Sequence, residues 1–290
     1  GVGSFILHPC DTEKYPSNIS INYSHIKLPY STFTLISLTL APHIHTMKKY
    51  NEKTIAIHQP NFLPWLGYFH KMNNCDIFVF HDDVELNWNG HTRRIQVRSS
   101  PTSNELDWIN IPIPNADKYA YINEIEIPSD PKAFDGIMDK IKGCYTGTPH
   151  YKQVFPVIKR CIIQKETNLA VYNQKAITIL AKLLDIKPTL VVSSKLETEG
   201  RGQEKVINIV KAIGANNYLS GMGAISYQLA DVFEKNKIDL TYLESAKDLN
   251  LVGKKVPHLL LNASIVDCLF YMGVDWVKET LDSLKPKIEI

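Results

Sequence analysis

The stretch "IAIHQPNFLPWLGYFHKMNNCDIFVFHDDVEL", residues 55–86, decides how the rest of the chain is read. An apolar run ends at His58-Gln59-Pro60-Asn61, a short helical pattern follows in "LGYFHKMNNC", and a second apolar run, "DIFVFHDD", closes on His81-Asp82-Asp83. Short apolar runs with polar and proline punctuation read as buried strands. A helix between two such strands is the unit of a parallel crossover. Polar groups gathered at neighbouring strand ends then mark a site, because ligands of open parallel sheets sit beyond the carboxyl ends of the strands.

The same alternation continues along the chain. "TRRIQVRS" and "DWINIPIP" alternate polar and apolar residues with period two, and the prolines fit edge or terminal strand positions. Residues 131–147 and 150–184 carry apolar residues every three or four positions, which predicts helices. "PTLVVSSKL" is a buried strand, and "GQEKVINIVKAIGA" an amphipathic helix stopping at Gly214. "NNYLSG", "ISYQLADVFEKN" and "IDLTYLES" add strand, helix and strand. The expected fold is α/β: an open, mostly parallel, Rossmann-like sheet with flanking helices and a small antiparallel β excursion around residues 90–127. Residues 1–46 contain no Met and sustain no period; they are read as an N-terminal extension ahead of Met47, with residues 47–290 forming a single α/β domain.

Bulk composition narrows the partners. The chain has 290 residues, 44% hydrophobic and 21% charged, with 32 basic against 30 acidic side chains for a formal charge of +2. That balance gives no support for a polyanion-binding surface, so nucleic acid is not an expected partner. Cys10, Cys75, Cys144, Cys161 and Cys268 are scattered without CxxC or matching His spacing, which predicts neither a disulfide framework nor a zinc site and fits reduced thiols in the cytoplasm. "TFTLISLTLA" is too short for a membrane span, and Asn262 and Asp267 interrupt "HLLLNASIVDCLFYMGV"; no membrane insertion is expected.

Three strand ends supply the candidate site: "HQPN", "HDD" and "SGMGA". His58 is the candidate base, and Asp82 and Asp83 are candidate catalytic carboxylates that bind Mg²⁺, orient an amine or anchor an Arg. Strand alternation directs only one of the two aspartates into a pocket, and likewise only one of Arg93 and Arg94, whose guanidinium forks suit phosphate or carboxylate. Gln59 and Asn61 are candidate amide donors, and Trp65 and Tyr68 candidate stacking surfaces. Ser220, Gly221, Gly223 and Tyr227 fall in "SGMGAISY", read as strand, glycine turn and helix start, an arrangement that offers backbone N–H groups to an anion. The same glycines equally serve a tight turn, and "GMG" is neither GxGxxG nor a Walker sequence. GxSxG and HExxH are absent from the sequence.

At residues 55–86 the chain resembles the WbqC-like protein family. The resemblance continues through "RRIQV", "DWINIPI", "YLSGMGAISY" and "NASIVDCLFYMG", about residues 54–275. "HDDVELNWNGHT" before the Arg pair and "NLVGKKVPHLLLNASIVD" depart from the family pattern. The resemblance implies a place in bacterial surface polysaccharide (O-antigen, lipopolysaccharide) biosynthesis, with glycine or aminoacyl transfer as the associated activity; it assigns no catalytic residue. The expected function is an acyl or aminoacyl (glycyl) transferase for an amino sugar on a nucleotide-linked carrier, with ATP or an acyl thioester as donor, Mg²⁺ as a further cofactor candidate, and an acyl carrier or pathway enzymes as partners. Two alternatives stay open: a non-catalytic protein binding a nucleotide sugar or a pathway partner, and a Mg²⁺-dependent phosphotransfer or hydrolysis enzyme.

Overall fold

The computed structural model describes residues 53–226, 228–243, 260, 262–284 and 288–289. The expected extension over residues 1–46 and the site residue Tyr227 lie outside these residues.

The sheet grows from strands that are apolar on both faces. β1 (Thr54–His58), β2 (Ile77–Phe80), β5 (Thr189–Val192), β6 (Asn217–Gly221) and β7 (Asp239–Leu243) pair in parallel, and β8 (Ile288–Glu289) adds an antiparallel edge, giving the order β5-β2-β1-β6-β7-β8. The five parallel strands, taken in chain order, run third-second-first-fourth-fifth, the doubly wound arrangement whose direction of winding reverses between β1 and β6. β3 (Arg94–Arg98) and β4 (Leu106–Asn110) form a separate antiparallel pair, the expected excursion.

Alternation along the strands divides the core. Ile55, Ile57, Ile77, Val79 and Tyr218 pack on one face against Ile207 and Val210 of helix α5 (Gly202–Ile213) and Phe233 of α6 (Ala230–Lys235). Ala56, Phe78, Phe80 and Leu219 face the larger core. That core is completed by α1 (Leu66–Asn73), α2 (Asp135–Tyr145), α3 (Tyr151–Ile162), α4 (Leu169–Leu183), α7 (Ile265–Met272) and α8 (Val274–Ser283). β2 is buried at every residue, as a central parallel strand covered on both faces must be.

Three expected elements differ. The helical pattern of 150–184 is two helices, because Asn168 accepts from the Val171 amide and caps a new start at Leu169. β2 stops at Phe80, so His81, Asp82 and Asp83 lie past the strand and escape its alternation. The helix expected from residue 225 begins only at Ala230; a 3₁₀ turn, Met222–Ala224, follows β6 instead.

The hairpin is locked to the rest of the domain by a buried ion pair. Arg98 donates through Nε to Asp267 Oδ1 at 2.8 Å and through Nη2 to Oδ2 at 3.2 Å, and Tyr145 OH donates to the same carboxylate at 3.1 Å. Arg98 is 1% exposed and Asp267 fully buried. Each of these two buried ions is the other's counter-charge, so taking away one leaves the other's charge uncompensated. Asp267→Ala is expected to lower the unfolding free energy by about 3–5 kcal/mol in denaturant titration. Arg98→Met combined with Asp267→Leu is expected to recover most of that loss, and a double variant as unstable as Asp267→Ala would contradict this account.

Candidate functional site

Parallel pairing sets the strand ends side by side. His58 pairs with Phe80, and the next amide, of His81, donates to the His58 carbonyl at 2.8 Å. Phe80 pairs with Val192, so Ser193 follows level with His81. Ala56 pairs with Leu219, which, continued along both strands, sets His58 level with Gly221. The three predicted strand ends therefore share one edge, with the reversal of winding between "HQPN" and "SGMG".

The loop from Gln59 to Trp65 is held from outside. Asn173 of α4 donates through Nδ2 to the carbonyls of Pro60 (2.8 Å) and Thr92 (2.7 Å). The Phe62 amide donates to His91 O, and Ile265 N donates to Pro64 O. Ser264, the N-cap of α7, donates to Leu63 O. Leu63 sits at φ 32°, where L residues are strained, and these partners on either side of it hold the backbone there. Thr92 Oγ1 lies 3.3 Å from Gln59 Oε1 and 3.2 Å from Asn61 Oδ1, so both side-chain carbonyls face the hydroxyl.

His58 is half-buried at the tip of β1, with its ring against Trp65 (5.8 Å between centroids) and Tyr68 (4.7 Å). Its Nδ1 lies 3.2 Å from the Gln59 carbonyl, so the neutral ring places its hydrogen there and leaves Nε2 to accept. Burial, then the charges of Lys71, His81 and His91, push its pKa down to about 3. Tyr68 lies beneath this loop rather than on its rim: it is 1% exposed and its hydroxyl donates to Gln59 O at 3.0 Å. Stacking on a ligand, expected of Tyr68, is closed to it, whereas Trp65 is half-buried.

Asp82 and Asp83 turn the same way, contrary to the expectation of opposite faces, because the strand has already ended. Asp82 is buried, accepts from Ser194 N (3.0 Å) and Ser194 Oγ (2.9 Å), and lies 3.2 Å from Ser193 Oγ; burial raises its pKa. Asp83 accepts from Ser193 and pairs with buried Lys205 of α5 at 2.6 Å. Burial acts to raise its pKa, but the hydrogen bonds from Lys205 and Ser193 and the Lys205 charge outweigh it and hold the carboxyl below its ordinary value. Neither aspartate pairs with Arg93 or Arg94 among the described residues.

His81 joins the site although the sequence reading named only the aspartates after it. Its Nε2 is buried, has no hydrogen-bond partner among the described residues, and lies 3.9 Å from Asp83 Oδ1. Burial lowers its pKa to about 4, the Asp83 carboxylate opposing and Lys205 reinforcing the shift. Lys71, Thr92, Asn173, Ser193 and Lys205 were also missed; each lies far along the chain from its partners, and only the "HDD" string held a signal, for His81.

The glycine turn differs from its expected role. Gly221 and Gly223 keep ordinary backbone angles, since neither has a positive φ, and no α-helix starts there. The three-residue 3₁₀ turn does not make the expected helix N-terminus for an anion. Ser220 Oγ is buried and donates to Gln228 Oε1 at 2.7 Å. Arg93 and Arg94 lie over different rings: Arg93 over Trp88 (5.3 Å) and Arg94 over Trp108 (4.1 Å). Rings in succession, Trp65 to His91 (5.2 Å) and His91 to Trp108 (5.7 Å), connect Arg94 to the His58 edge.

The profile of the WbqC-like protein family matches residues 59–279. The chain belongs to the WbqC-like protein family. The matched range opens on the loop after His58 and ends in α8, so it takes in the hydrogen-bonded loop, both aspartates, the Arg pair and the Arg98–Asp267 lock. The chain is also similar to the uncharacterized protein Rv1507c of Mycobacterium tuberculosis, 26% identical over 228 residues that cover 77% of this chain and 95% of the relative. No solved structure matches the chain. Among the described residues, no helix is long and apolar enough to cross a membrane, no three His, Cys, Asp or Glu groups are placed to hold a metal ion, and Cys75, Cys144, Cys161 and Cys268 are unpaired.

The depressed histidines make stability depend on pH. His70, fully buried in α1, is also pushed down by burial, from 6.5 to about 4. Below 6.5 the unfolded chain takes up the proton that the folded ring refuses, so this contribution is complete above 6.5 and is lost as pH falls toward 4. His70 alone accounts for about 2 kcal/mol of the stability lost between pH 7 and pH 5. His70→Gln is expected to flatten the fall in thermal midpoint over that interval; an unchanged slope would show that His70 titrates normally in the fold.

Proposed function

We propose that this protein is a cytoplasmic acyl- or aminoacyltransferase that forms an amide on the amino group of a nucleotide-linked sugar, a step in the building of bacterial surface polysaccharide. The observation that carries the reading is a pair of neutral imidazoles, His58 and His81, at adjacent strand ends beside the Asp83–Lys205 ion pair. Membership of the WbqC-like family supports the polysaccharide setting.

An amine nitrogen attacks the carbonyl carbon of an activated acyl group; the C–N bond forms and the donor's C–S or C–O bond breaks. The nitrogen must shed a proton as it attacks, and the leaving thiolate or phosphate takes one. His58 Nε2 is the acceptor left open at the rim. The proton rests on His58 as an imidazolium before it passes to the leaving group, and Asp83, kept ionised by Lys205 and beside His81 at the neighbouring strand end, is a negative charge on the same edge. The side-chain NH₂ groups of Gln59 and Asn61, whose carbonyl ends are engaged by Thr92, supply donors for the oxygen of the tetrahedral adduct.

The test is incubation with a uridine diphosphate amino sugar and, separately, glycine with ATP or an acyl thioester, with products read by mass spectrometry. The expected result is a mass gain on the sugar amine with one donor class. His58→Ala and His81→Asn should each lower turnover by about 10²–10⁴-fold. Saturable sugar-nucleotide binding without product from any donor would replace the transferase with a binding protein, and full turnover in His58→Ala would remove His58 as the base.

A further inference from the structure

A groove on the hairpin side of the molecule lies apart from the strand-end site. It encloses about 770 Å³ and is bordered by Trp88, Arg93, Trp108, Pro112, Pro114 and Lys140, with the β4 strand on one side and α2 on the other. Its floor is apolar, from Ile109, Ile111 and Ile137. Two flat indoles and two prolines offer faces to a ring; Trp108 is 37% exposed.

The charges here are unbalanced. Lys140 is neutralised by Asp107 at 2.5 Å. Among the described residues, Arg93 and Arg94 have no carboxylate partner, and the Nε of each is buried without a hydrogen bond. Arg93 is held down from its ordinary pKa by burial and by the neighbouring Arg94, so two guanidinium charges repel each other with no anion between them. Arg93 borders the groove, and its guanidinium fork fits a pair of phosphate oxygens.

We propose that this groove binds the diphosphate and ring of a nucleoside diphosphate, with Arg93 on the phosphates and Trp88 and Trp108 beside the ring. This deepens the transferase reading by naming the place of the carrier: the sequence of rings from Trp108 through His91 and Trp65 leads from the groove to His58.

Tryptophan emission of the full chain, titrated with uridine diphosphate, uridine and inorganic pyrophosphate, tests it. Uridine diphosphate is expected to bind at least tenfold more tightly than either part. Arg93→Gln should weaken it at least tenfold, with Arg93→Lys between the two. Gly136 gives a second variant: it lines the groove in the first turn of α2, and a Cβ built there meets nothing within 4 Å. Gly136→Leu should therefore fill the groove and abolish binding without lowering the thermal midpoint. No saturable signal, or equal affinity in wild type, Arg93→Gln and Gly136→Leu, overturns the proposal; so does pyrophosphate binding as tightly as the whole nucleotide. Turnover that survives in Gly136→Leu removes the groove but leaves the transferase. Nucleotide bound in the groove with no turnover does the reverse.

Discussion

Parallel pairing of β5, β2, β1 and β6 is the constraint from which the site follows. Because all four strands run the same way, their carboxyl ends arrive together, and the register sets His58, His81, Ser193 and Gly221 along one edge. Backbone hydrogen bonding is satisfied there by the ladder itself, as when the His81 amide reaches the His58 carbonyl. The two imidazoles are consequently left in partly desolvated surroundings with few partners of their own. Desolvation disfavours the charged imidazole, which is why His58 and His81 are both neutral well below the ordinary titration range. The ion pair of Asp83 with Lys205 joins the end of β2 to α5, and its carboxylate is the negative charge beside His81.

The edge is also rigid, and for reasons remote in sequence. Asn173 comes from α4, Thr92 from the approach to β3, and Ser264 from the start of α7, yet all three hold the loop of residues 59–65. Ser264 and Asp267 lie on the same short helix, so the grip on Leu63 and the Arg98 lock are set by one element. A Rossmann-type turn would place glycines and a helix N-terminus here. This chain instead uses two prolines and a helix delayed to Leu66, and its first helix brings Lys71 to the Ile57 carbonyl at 2.8 Å. The architecture is shared with nucleotide-binding folds while a glycine-rich phosphate-binding turn is absent from the described residues, and Arg93 and Arg94, which have no carboxylate partner among those residues, stand elsewhere, by the hairpin.

Much of this was legible from residues 55–86. Apolar runs covered on both faces gave the parallel strands, and their polar ends gave the edge, because burial on two faces leaves only the tips for chemistry. Asp82 and Asp83 were found, but their directions were misjudged, since strand alternation was extended past Phe80 where β2 stops. "GMGAISY" was read as a helix start on the strength of its glycines; the backbone there needs no glycine angles, and the helix waits until Ala230. Lys205 and Asn173 were invisible because a buried polar residue on an amphipathic helix looks the same in sequence as an exposed one. The partners that bring them to the site, Asp83 for Lys205 and Pro60 and Thr92 for Asn173, lie about eighty residues away or more, and no local period encodes such a contact.

The central claim is that His58 and His81 share one desolvated edge with Asp83. Histidine-ring NMR titration of the full chain measures this directly. The account predicts that both rings stay neutral far below 6.5, protonating near 3 and 4, and that Asp83→Asn moves His81 lower while shifting His58 less. Ordinary titration of both rings near 6.5, with His81 indifferent to Asp83, would contradict it.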